Sequence, residues 1–366
     1  MNIYTATLVH KNYGSMLQAY ALQSCLKQYG SSPYVILKKS EKKHSKLYHF
    51  LGRFYGLTKY LLKPDVDYSF SKRLKLRIDD LKFSGKYKKL DIFAKENLLI
   101  QFITNKKEFA NSIPDDSIFL AGSDQVWNTP SKLSWYAFQW VDGKYDKYSY
   151  AASIGKSLLS DEDLEKYKSA LSPFKSISLR ERQALNIFEP IFTDKVRQDL
   201  DPTLLWDKNF WRKIESPRLI EEPYVFVYRL RPNDDVFDLA RKVSKEKNCR
   251  IVYTGSYAYS AKDVKTIYDA GVEDFLSLID HAEAVVTNSF HGTAFSIIYE
   301  KPFLSAKIAT TGSRAESLLS LLDLKSQYIS NMDEDFSLQI DYAKANTILS
   351  KERDKSLDYL KSICLR

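Results

Sequence analysis

Short runs of β-branched and aromatic residues alternate with helix-length segments along this chain of 366 residues. Residues 3–9 read as a strand and residues 16–29 as the helix after it, with Ser15 as the expected N-cap and Gly30 as the expected stop. Strands separated by helices favour parallel sheets that are covered by helices on both faces. The sequence therefore predicts an α/β fold.

The alternation pauses near residues 207–223, which contain Pro217, Pro223 and a run of mixed charges, and then resumes. This pause predicts two Rossmann-like domains that face a cleft, over residues 1–210 and 222–345. We expect the first domain to carry an insertion over residues 38–90. We also expect a C-terminal helix at residues 346–366 to pack back on the first domain.

Composition excludes several classes of protein. Hydrophobic residues make up 44% of the chain and charged residues 28%, which is typical of globular domains and excludes a disordered or collagen-like chain. The cysteines Cys25, Cys249 and Cys364 are widely spaced and predict neither a disulfide framework nor a metal cluster. Since the sequence shows no signal-peptide pattern and no apolar run of about 18 residues, we expect a cytoplasmic protein without a membrane span.

The positive charge is concentrated in residues 38–90. This segment has 16 Lys or Arg against five Asp or Glu, a net charge of +11, whereas the whole chain carries +9. Such a segment indicates an anionic partner, either a membrane surface or nucleic acid. Within it, residues 46–63 place Leu and Phe on one helical stripe between cations. This pattern is typical of an interfacial helix, and equally of a surface helix docked on its own domain.

Polar residues follow the predicted strands, where open parallel sheets bind their ligands. The relevant loops are residues 12–15, 122–128, 179–181 and 288–292. His291 lies where a helix begins, so free backbone N–H groups favour an anion there, and Gly292 allows close approach to the backbone. His291 would bind a phosphate or transfer a proton, or it merely caps the helix.

Three other polar residues stand at the ends of predicted strands or in turns. Arg180 would bind an anion with two N–H groups, or form an ion pair with Glu181. Asp124 would act as a carboxylate base, with Trp127 as a stacking ring for a sugar, or it caps its own turn. Asp201 reads as a turn initiator.

Six blocks of sequence stand in the order found in a known family. They are residues 12–23 (NYGSMLQAYALQ), 122–128 (GSDQVWN), 178–181 (SLRE), 201–205 (DPTLL), 286–296 (VTNSFHGTAFS) and 301–303 (KPF). Together they resemble the polysaccharide pyruvyl transferase family over roughly residues 1–325. The resemblance implies the two-domain fold of GT-B glycosyltransferases. It also implies transfer of the enolpyruvyl group of phosphoenolpyruvate to two hydroxyls of one sugar, as a cyclic ketal, with release of phosphate.

The resemblance further implies that His291 and Arg180 lie at the phosphoenolpyruvate. The chemistry of the transfer makes His291 the expected acid, or else the group that neutralises the departing phosphate, and a carboxylate such as Asp124 would take the hydroxyl proton. The donor, phosphoenolpyruvate, is expected to bind at Arg180, Asn288, Ser289, Phe290, His291, Gly292, Thr293, Lys307 and Arg314. The acceptor is expected on the first domain, at Asn12, Tyr13, Gly14, Ser15, Ser123, Asp124, Gln125, Trp127 and Asn128. Some relatives have an arginine two residues before the histidine. Because Ser289 stands there, Lys307 or Arg314 is expected to supply that charge.

The resemblance implies no metal or redox cofactor. Acceptors of such enzymes are commonly lipid-linked sugars of exopolysaccharide, capsule or cell-wall repeat units, so the basic segment would hold the enzyme at the inner face of the cell membrane. A glycosyltransferase that uses a nucleotide sugar on the same fold is the alternative. Nucleic acid is not favoured as a partner, because no DNA- or RNA-binding signature is present.

Overall fold

The computed structural model describes residues 1–9, 12–38, 81–156, 158–231, 233, 235–307, 313–331 and 335–366. The interfacial helix predicted at residues 46–63, and the basic segment from residue 39 to residue 80, lie outside the described residues. Within the described ranges, no helix is both long enough and apolar enough to cross a membrane.

The strands of the first half are β1 (Asn2–Ala6), β2 (Ser32–Lys38), β3 (Ile100–Ile103), β4 (Ile118–Ala121) and β5 (Asp146–Ser149). They form one parallel sheet in the order β3-β2-β1-β4-β5. Two further parallel strands, β6 (Ile177–Leu179) and β7 (Val196–Gln198), lie beside it, because backbone bridges join Tyr148 to Ser176 and Ala152 to Leu179. The helices are α1 (Tyr13–Gln28), α2 (Ser84–Asn97), α3 (Lys106–Ser112), α4 (Leu133–Tyr136), α5 (Asp161–Leu171) and α6 (Arg182–Phe192).

The strands of the second half are β8 (Tyr224–Arg229), β9 (Arg250–Gly255), β10 (Val264–Thr266), β11 (Ala284–Thr287), β12 (Phe303–Ala306) and β13 (Tyr328–Ile329). They form a parallel sheet in the order β10-β9-β8-β11-β12-β13. The helices are α7 (Lys208–Arg212), α8 (Asp235–Lys247), α9 (Val272–Asp280), α10 (Phe290–Ile298), α11 (Ser313–Leu321) and α12 (Tyr342–Cys364). The predicted α/β class, with parallel sheets and flanking helices, is confirmed.

Helix α1 begins earlier than the sequence predicts. Asn12, and not Ser15, is its N-cap, because the Asn12 side chain accepts a hydrogen bond from the Gly14 N–H at 2.9 Å. Ser15 lies inside the first turn, where its hydroxyl donates to the Asn12 carbonyl at 3.0 Å. The predicted stop is confirmed, since the helix ends at Gln28 and Gly30 has a φ of 75°, which glycine adopts without strain.

Among the residues that the structure describes, three hydrophobic cores stabilise the fold. One core, which includes Phe119, packs against the first sheet, and another, which includes Phe237, packs against the second. The largest core contains residues of both halves, among them Leu17 of α1 and Phe275 of α9. The two halves therefore share buried apolar surface, which resists their separation.

The C-terminal helix α12 contacts the first half of the chain. The Tyr359 hydroxyl donates to the Ser149 carbonyl at 3.0 Å, and the Ser356 hydroxyl accepts from the Leu200 N–H at 3.1 Å. Leu360 is fully buried in the core that the two halves share. The domain boundaries at residues 210 and 222 stay predictions.

Candidate active site

The two sheets present their carboxyl ends to one cleft of about 280 Å³. In each sheet the strand order reverses between two central neighbours, β1 beside β4 in the first and β8 beside β11 in the second. Loops diverge at such a point and leave room for a ligand. The cleft is lined by Leu8, Asn12, Ser15, Asp124, Gln125, Leu230, Arg231, Ser256, Tyr257, Ser289, Phe290, His291 and Arg314.

A buried ion pair lies beside this cleft. Nη1 of Arg180, which follows β6, is 2.7 Å from Oδ2 of Asp201, which follows β7. The two side chains are only 3% and 0% exposed. The Arg180 guanidinium also lies over the Phe290 ring, with 4.5 Å between Cζ and the ring centre. Because Phe290 lines the cleft, this contact places Arg180 directly behind the cleft wall.

Asp201 connects Arg180 to His291. Its Oδ2 lies 3.6 Å from Nε2 of His291 and accepts from the Ser123 hydroxyl at 3.1 Å, while its Oδ1 accepts from the Thr203 N–H at 3.0 Å. Burial by itself raises the pKa of Asp201, but the interactions with His291 and Arg180 outweigh burial and hold the pKa well below its usual range. Oδ1 of Asp201 therefore stabilises the turn that the sequence predicts, whereas Oδ2 interacts with Arg180 and His291.

A second carboxylate, that of Asp124, lies between two arginines. Its Oδ1 is 3.7 Å from Nη2 of Arg180 and 3.8 Å from Nη1 of Arg314, too far for hydrogen bonds. Burial alone lowers the pKa of Arg180, but the carboxylates of Asp201, Glu181 and Asp124 outweigh burial and raise it. The pKa of Arg314 falls to about 10, because the side chain is buried and faces the charge of Arg180.

Several buried polar atoms of this group make no hydrogen bond within the described part of the protein. They are Nε and Nη2 of Arg180, Nε of Arg314, Nε2 of His291 and Oε2 of Glu181. A buried donor without an acceptor costs about 1–3 kcal/mol, and more when it is charged. A bound anion would accept hydrogen bonds from the four donor-type atoms, so the group suits an anionic ligand. The described ranges contain no group of three His, Cys, Asp or Glu placed to hold a metal ion.

His291 is confined by the backbone on two sides. It lies in the first turn of α10, where the N-cap Ser289 accepts from the Gly292 N–H at 3.4 Å. Across the cleft, Gly14 of α1 comes so close that a Cβ atom there would lie 2.0 Å from Nδ1 of His291. The first N–H groups of a helix have no partner within it and favour an anion. The imidazole and the start of α10 therefore border the same part of the cleft.

Four residues that the sequence places near a ligand lie elsewhere. Trp127 is fully buried in a hydrophobic core, so it presents no ring face to a sugar. Tyr13 is fully buried, and its hydroxyl donates to the Ala270 carbonyl at 2.8 Å. Thr293 is fully buried and its hydroxyl makes its bonds inside the protein. Lys307 is exposed and does not line the cleft. Of the two cations expected to replace the missing arginine, Arg314 is therefore the one that lines the cleft.

Two further predictions differ from the structure, and three residues were not selected from sequence. Asn128 does not line the cleft, and Asn288 binds the neighbouring loop with its side chain. The sequence assigns no ligand-binding role to Asp201, which it predicts only as a turn initiator, to Glu181, which it predicts only as an ion-pair partner of Arg180, or to Arg231. Asp201 stands in the 201–205 block, and Arg231 directly follows a strand of the second half, the same signal that selected the other loops.

Two parallel α/β units that face a common cleft define a protein of the GT-B type. The solved structure of UGT89C1 from Arabidopsis thaliana, complexed with UDP, matches with a TM-score of 0.51 and 10% identity over 99% of each chain. A UDP-GlcNAc 2-epimerase from Neisseria meningitidis matches with a TM-score of 0.45 and 12% identity over 96% of this chain and 99% of its own. At these identities the first likeness shows the fold alone, and it confirms the predicted GT-B-like fold.

The family is shown by a separate comparison. No curated protein is a significant match to this chain. The model of the polysaccharide pyruvyl transferase family matches residues 12–306, which is most of the chain. The chain therefore belongs to the polysaccharide pyruvyl transferase family, as its sequence motifs predict. Membership makes it a transferase of polysaccharide biosynthesis with a sugar or polysaccharide acceptor.

Proposed function

We propose that this protein transfers the enolpyruvyl group of phosphoenolpyruvate to two hydroxyls of one sugar, forming a cyclic pyruvate ketal and releasing phosphate. The observation that supports this most is the set of buried donor atoms without partners on Arg180, Arg314 and His291. Phosphoenolpyruvate has a carboxylate and a phosphate, so it offers anionic acceptors to all three side chains. The reaction needs no metal or redox cofactor.

His291 is proposed as the acid of the reaction. Protonated His291 donates to the methylene carbon of the donor, so positive charge develops at the adjacent carbon. One sugar hydroxyl forms a bond to that carbon. The phosphate then leaves with the electron pair of its C–O bond, and the second hydroxyl closes the ketal. The two hydroxyl protons balance the reaction, since one replaces the proton now on the methyl group and the other ends on phosphate.

Asp124 is proposed to take the proton of the attacking hydroxyl. Its φ of 70° is uncommon for a residue with a side chain, and its carbonyl accepts hydrogen bonds from Val126 N at 2.8 Å and Ser153 N at 3.0 Å, which hold that conformation. The carboxylate borders the cleft and lies near Arg180 and Arg314. A base in this position would be within reach of both the donor and the acceptor.

The acceptor is proposed to be a lipid-linked sugar at the inner face of the cell membrane. Support comes from the formal net charge of +11 over residues 38–90, most of which would attract anionic headgroups, since Lys86 alone of its described cations is buried. Co-sedimentation with vesicles of phosphatidylglycerol tests this at low and high salt, with phosphatidylcholine vesicles as the control. We expect salt-sensitive binding to the anionic vesicles, and equal binding to both compositions would contradict the proposal.

Calorimetric titration of phosphoenolpyruvate tests the proposed donor. We compare wild type with His291→Ala and with the control His281→Ala, since His281 is the C-cap of α9, does not line the cleft, and contacts the Ser277 carbonyl with its imidazole at 3.0 Å. We expect an affinity roughly 10-fold or more lower in His291→Ala and unchanged in His281→Ala. Wild type that binds a UDP-sugar and not phosphoenolpyruvate would refute the proposal and favour a glycosyltransferase.

A further inference from the structure

The side chain of Asn288 forms hydrogen bonds with the loop that follows β8. Its Oδ1 accepts from the N–H groups of Leu230 at 2.8 Å and Arg231 at 3.5 Å, and its Nδ2 donates to the Arg231 carbonyl at 2.9 Å. Asn288 is only 5% exposed. Its carboxamide oxygen and one N–H group therefore bind the backbone of Leu230 and Arg231, which holds this loop in place.

Arg231 projects from this clamped loop and lines the cleft together with Ser289, His291 and Arg314. It differs from the other arginines of the site in its partners. Arg180 and Arg314 each lie within 4.0 Å of a carboxylate, whereas the exposed guanidinium of Arg231 has no ion pair with any described residue. Arg231 is thus a cation of the cleft whose charge no described carboxylate offsets.

We propose that Arg231 binds a phosphoryl group in the cleft and that Asn288 positions it for this purpose, an inference that rests on the proposed function. The charges near Arg180 favour such a residue. Arg180 and Arg314 face three carboxylates, those of Asp124, Glu181 and Asp201. These two arginines and three carboxylates do not neutralise the charge of a dianionic phosphoryl group. A further guanidinium, with two parallel N–H donors, suits such a ligand. The phosphoryl group is either that of the donor or one on the acceptor.

Calorimetry on Arg231→Met tests the binding role and distinguishes the two sources. Arg250→Met is the matched control, because Arg250 begins β9 at the opposite end of the same sheet and is half exposed. If the donor supplies the phosphoryl group, Arg231→Met weakens phosphoenolpyruvate and inorganic phosphate by roughly 10- to 100-fold and leaves pyruvate unchanged. If the acceptor supplies it, phosphoenolpyruvate binds as in wild type and only inorganic pyrophosphate, titrated with saturating phosphoenolpyruvate present, weakens.

The proposal is overturned when Arg231→Met binds all these anions as wild type does, or when Arg250→Met weakens them equally. Failure of the proposed function has a different signature, since wild type would then bind no phosphoenolpyruvate while the phosphate and pyrophosphate titrations still report on Arg231.

The positioning role of Asn288 has its own test, with Asn288→Asp and Asn288→Ala. We expect each folded variant to lose affinity for the same anions as Arg231→Met and to about the same extent, with no further loss in the double variant and with pyruvate binding retained. A purely structural role would lower the melting temperature and weaken pyruvate and phosphate alike, which would overturn the assignment. Asn288→Asp keeps the acceptor oxygen, so it remains testable if Asn288→Ala does not fold.

Discussion

Gly14 lies against the imidazole of His291, and this contact makes a sharp prediction for the variant Gly14→Ala. The added Cβ would be 2.0 Å from Nδ1 and 2.3 Å from Cγ, whereas ordinary contact begins at 3.4 Å. The ring must therefore move by about 1.4 Å or rotate away. The change should also destabilise the fold, because the clash involves Cγ at the base of a buried imidazole, although alanine itself favours a helical turn.

The displaced ring loses its place beside Asp201, from which Nε2 is 3.6 Å away in the native site. Misplacement of a reacting group by about 1 Å costs on the order of 100-fold in rate. We therefore expect Gly14→Ala to weaken phosphoenolpyruvate binding by at least roughly 10-fold and to lower turnover more, with a free energy of unfolding about 1–3 kcal/mol below that of wild type. Calorimetry and urea unfolding measure the two quantities on the same preparation.

Two comparisons show whether the effect passes through His291. Gly143→Ala is the control, since a Cβ at Gly143 meets no atom within 4 Å. The double variant Gly14→Ala/His291→Ala should bind phosphoenolpyruvate no more weakly than His291→Ala, because the ring that clashes is gone. Native affinity in Gly14→Ala would refute the reasoning, and so would a double variant that is clearly weaker than His291→Ala.

Three other changes have expected outcomes. Arg180→Ala should weaken phosphoenolpyruvate binding roughly 10- to 100-fold and destabilise the fold by about 3–5 kcal/mol, because Asp201 loses a buried partner. Native affinity in calorimetry would show that Arg180 does not bind the donor. Lys86→Met should stabilise the protein at pH 7, because burial lowers the pKa of Lys86 from 10.5 to about 7 and each pKa unit costs about 1.4 kcal/mol. Between pH 7 and 10.5 the unfolded chain binds a proton that the folded chain lacks, so the stability of wild type rises with pH. The stability advantage of Lys86→Met should therefore disappear near pH 10.5. A variant that is less stable than wild type in urea at pH 7 would contradict this. Tyr359→Phe should cost about 1 kcal/mol in the same assay, because its hydrogen bond to the Ser149 carbonyl is lost, and an unchanged midpoint would show that the bond adds nothing.

The position of the cleft follows from the sequence because it depends on strand order and loop placement. The carboxyl ends of parallel strands share one edge of a sheet, so the loops that contain Asp124 and His291 were expected to lie at binding edges, and both line the cleft. The end of α1 near Gly30 could also be predicted, because it depends only on the local backbone conformation of that glycine.

The direction in which a single side chain points could not be predicted from the sequence, because tertiary packing decides it. Trp127 stands in a polar loop, and no local pattern shows that its ring enters a core. Lys307 and Arg314 both follow β12, and Arg314 faces the site because α11 docks on α6, where the Ser317 hydroxyl accepts from the Arg182 N–H at 3.2 Å. The second role of Asp201 depends on partners 21 and 90 positions away, which no local window contains.

The return of α12 to the first sheet has a consequence for engineering chimeras within this family. A single crossover between the halves, near residue 215, would join the first sheet of one parent to the last helix of another. The bonds of Tyr359 and Ser356 to Ser149 and Leu200 would then join residues that did not evolve together. Recombination of the two halves therefore needs two crossovers, the second just before Tyr342, so that each first half keeps its own α12.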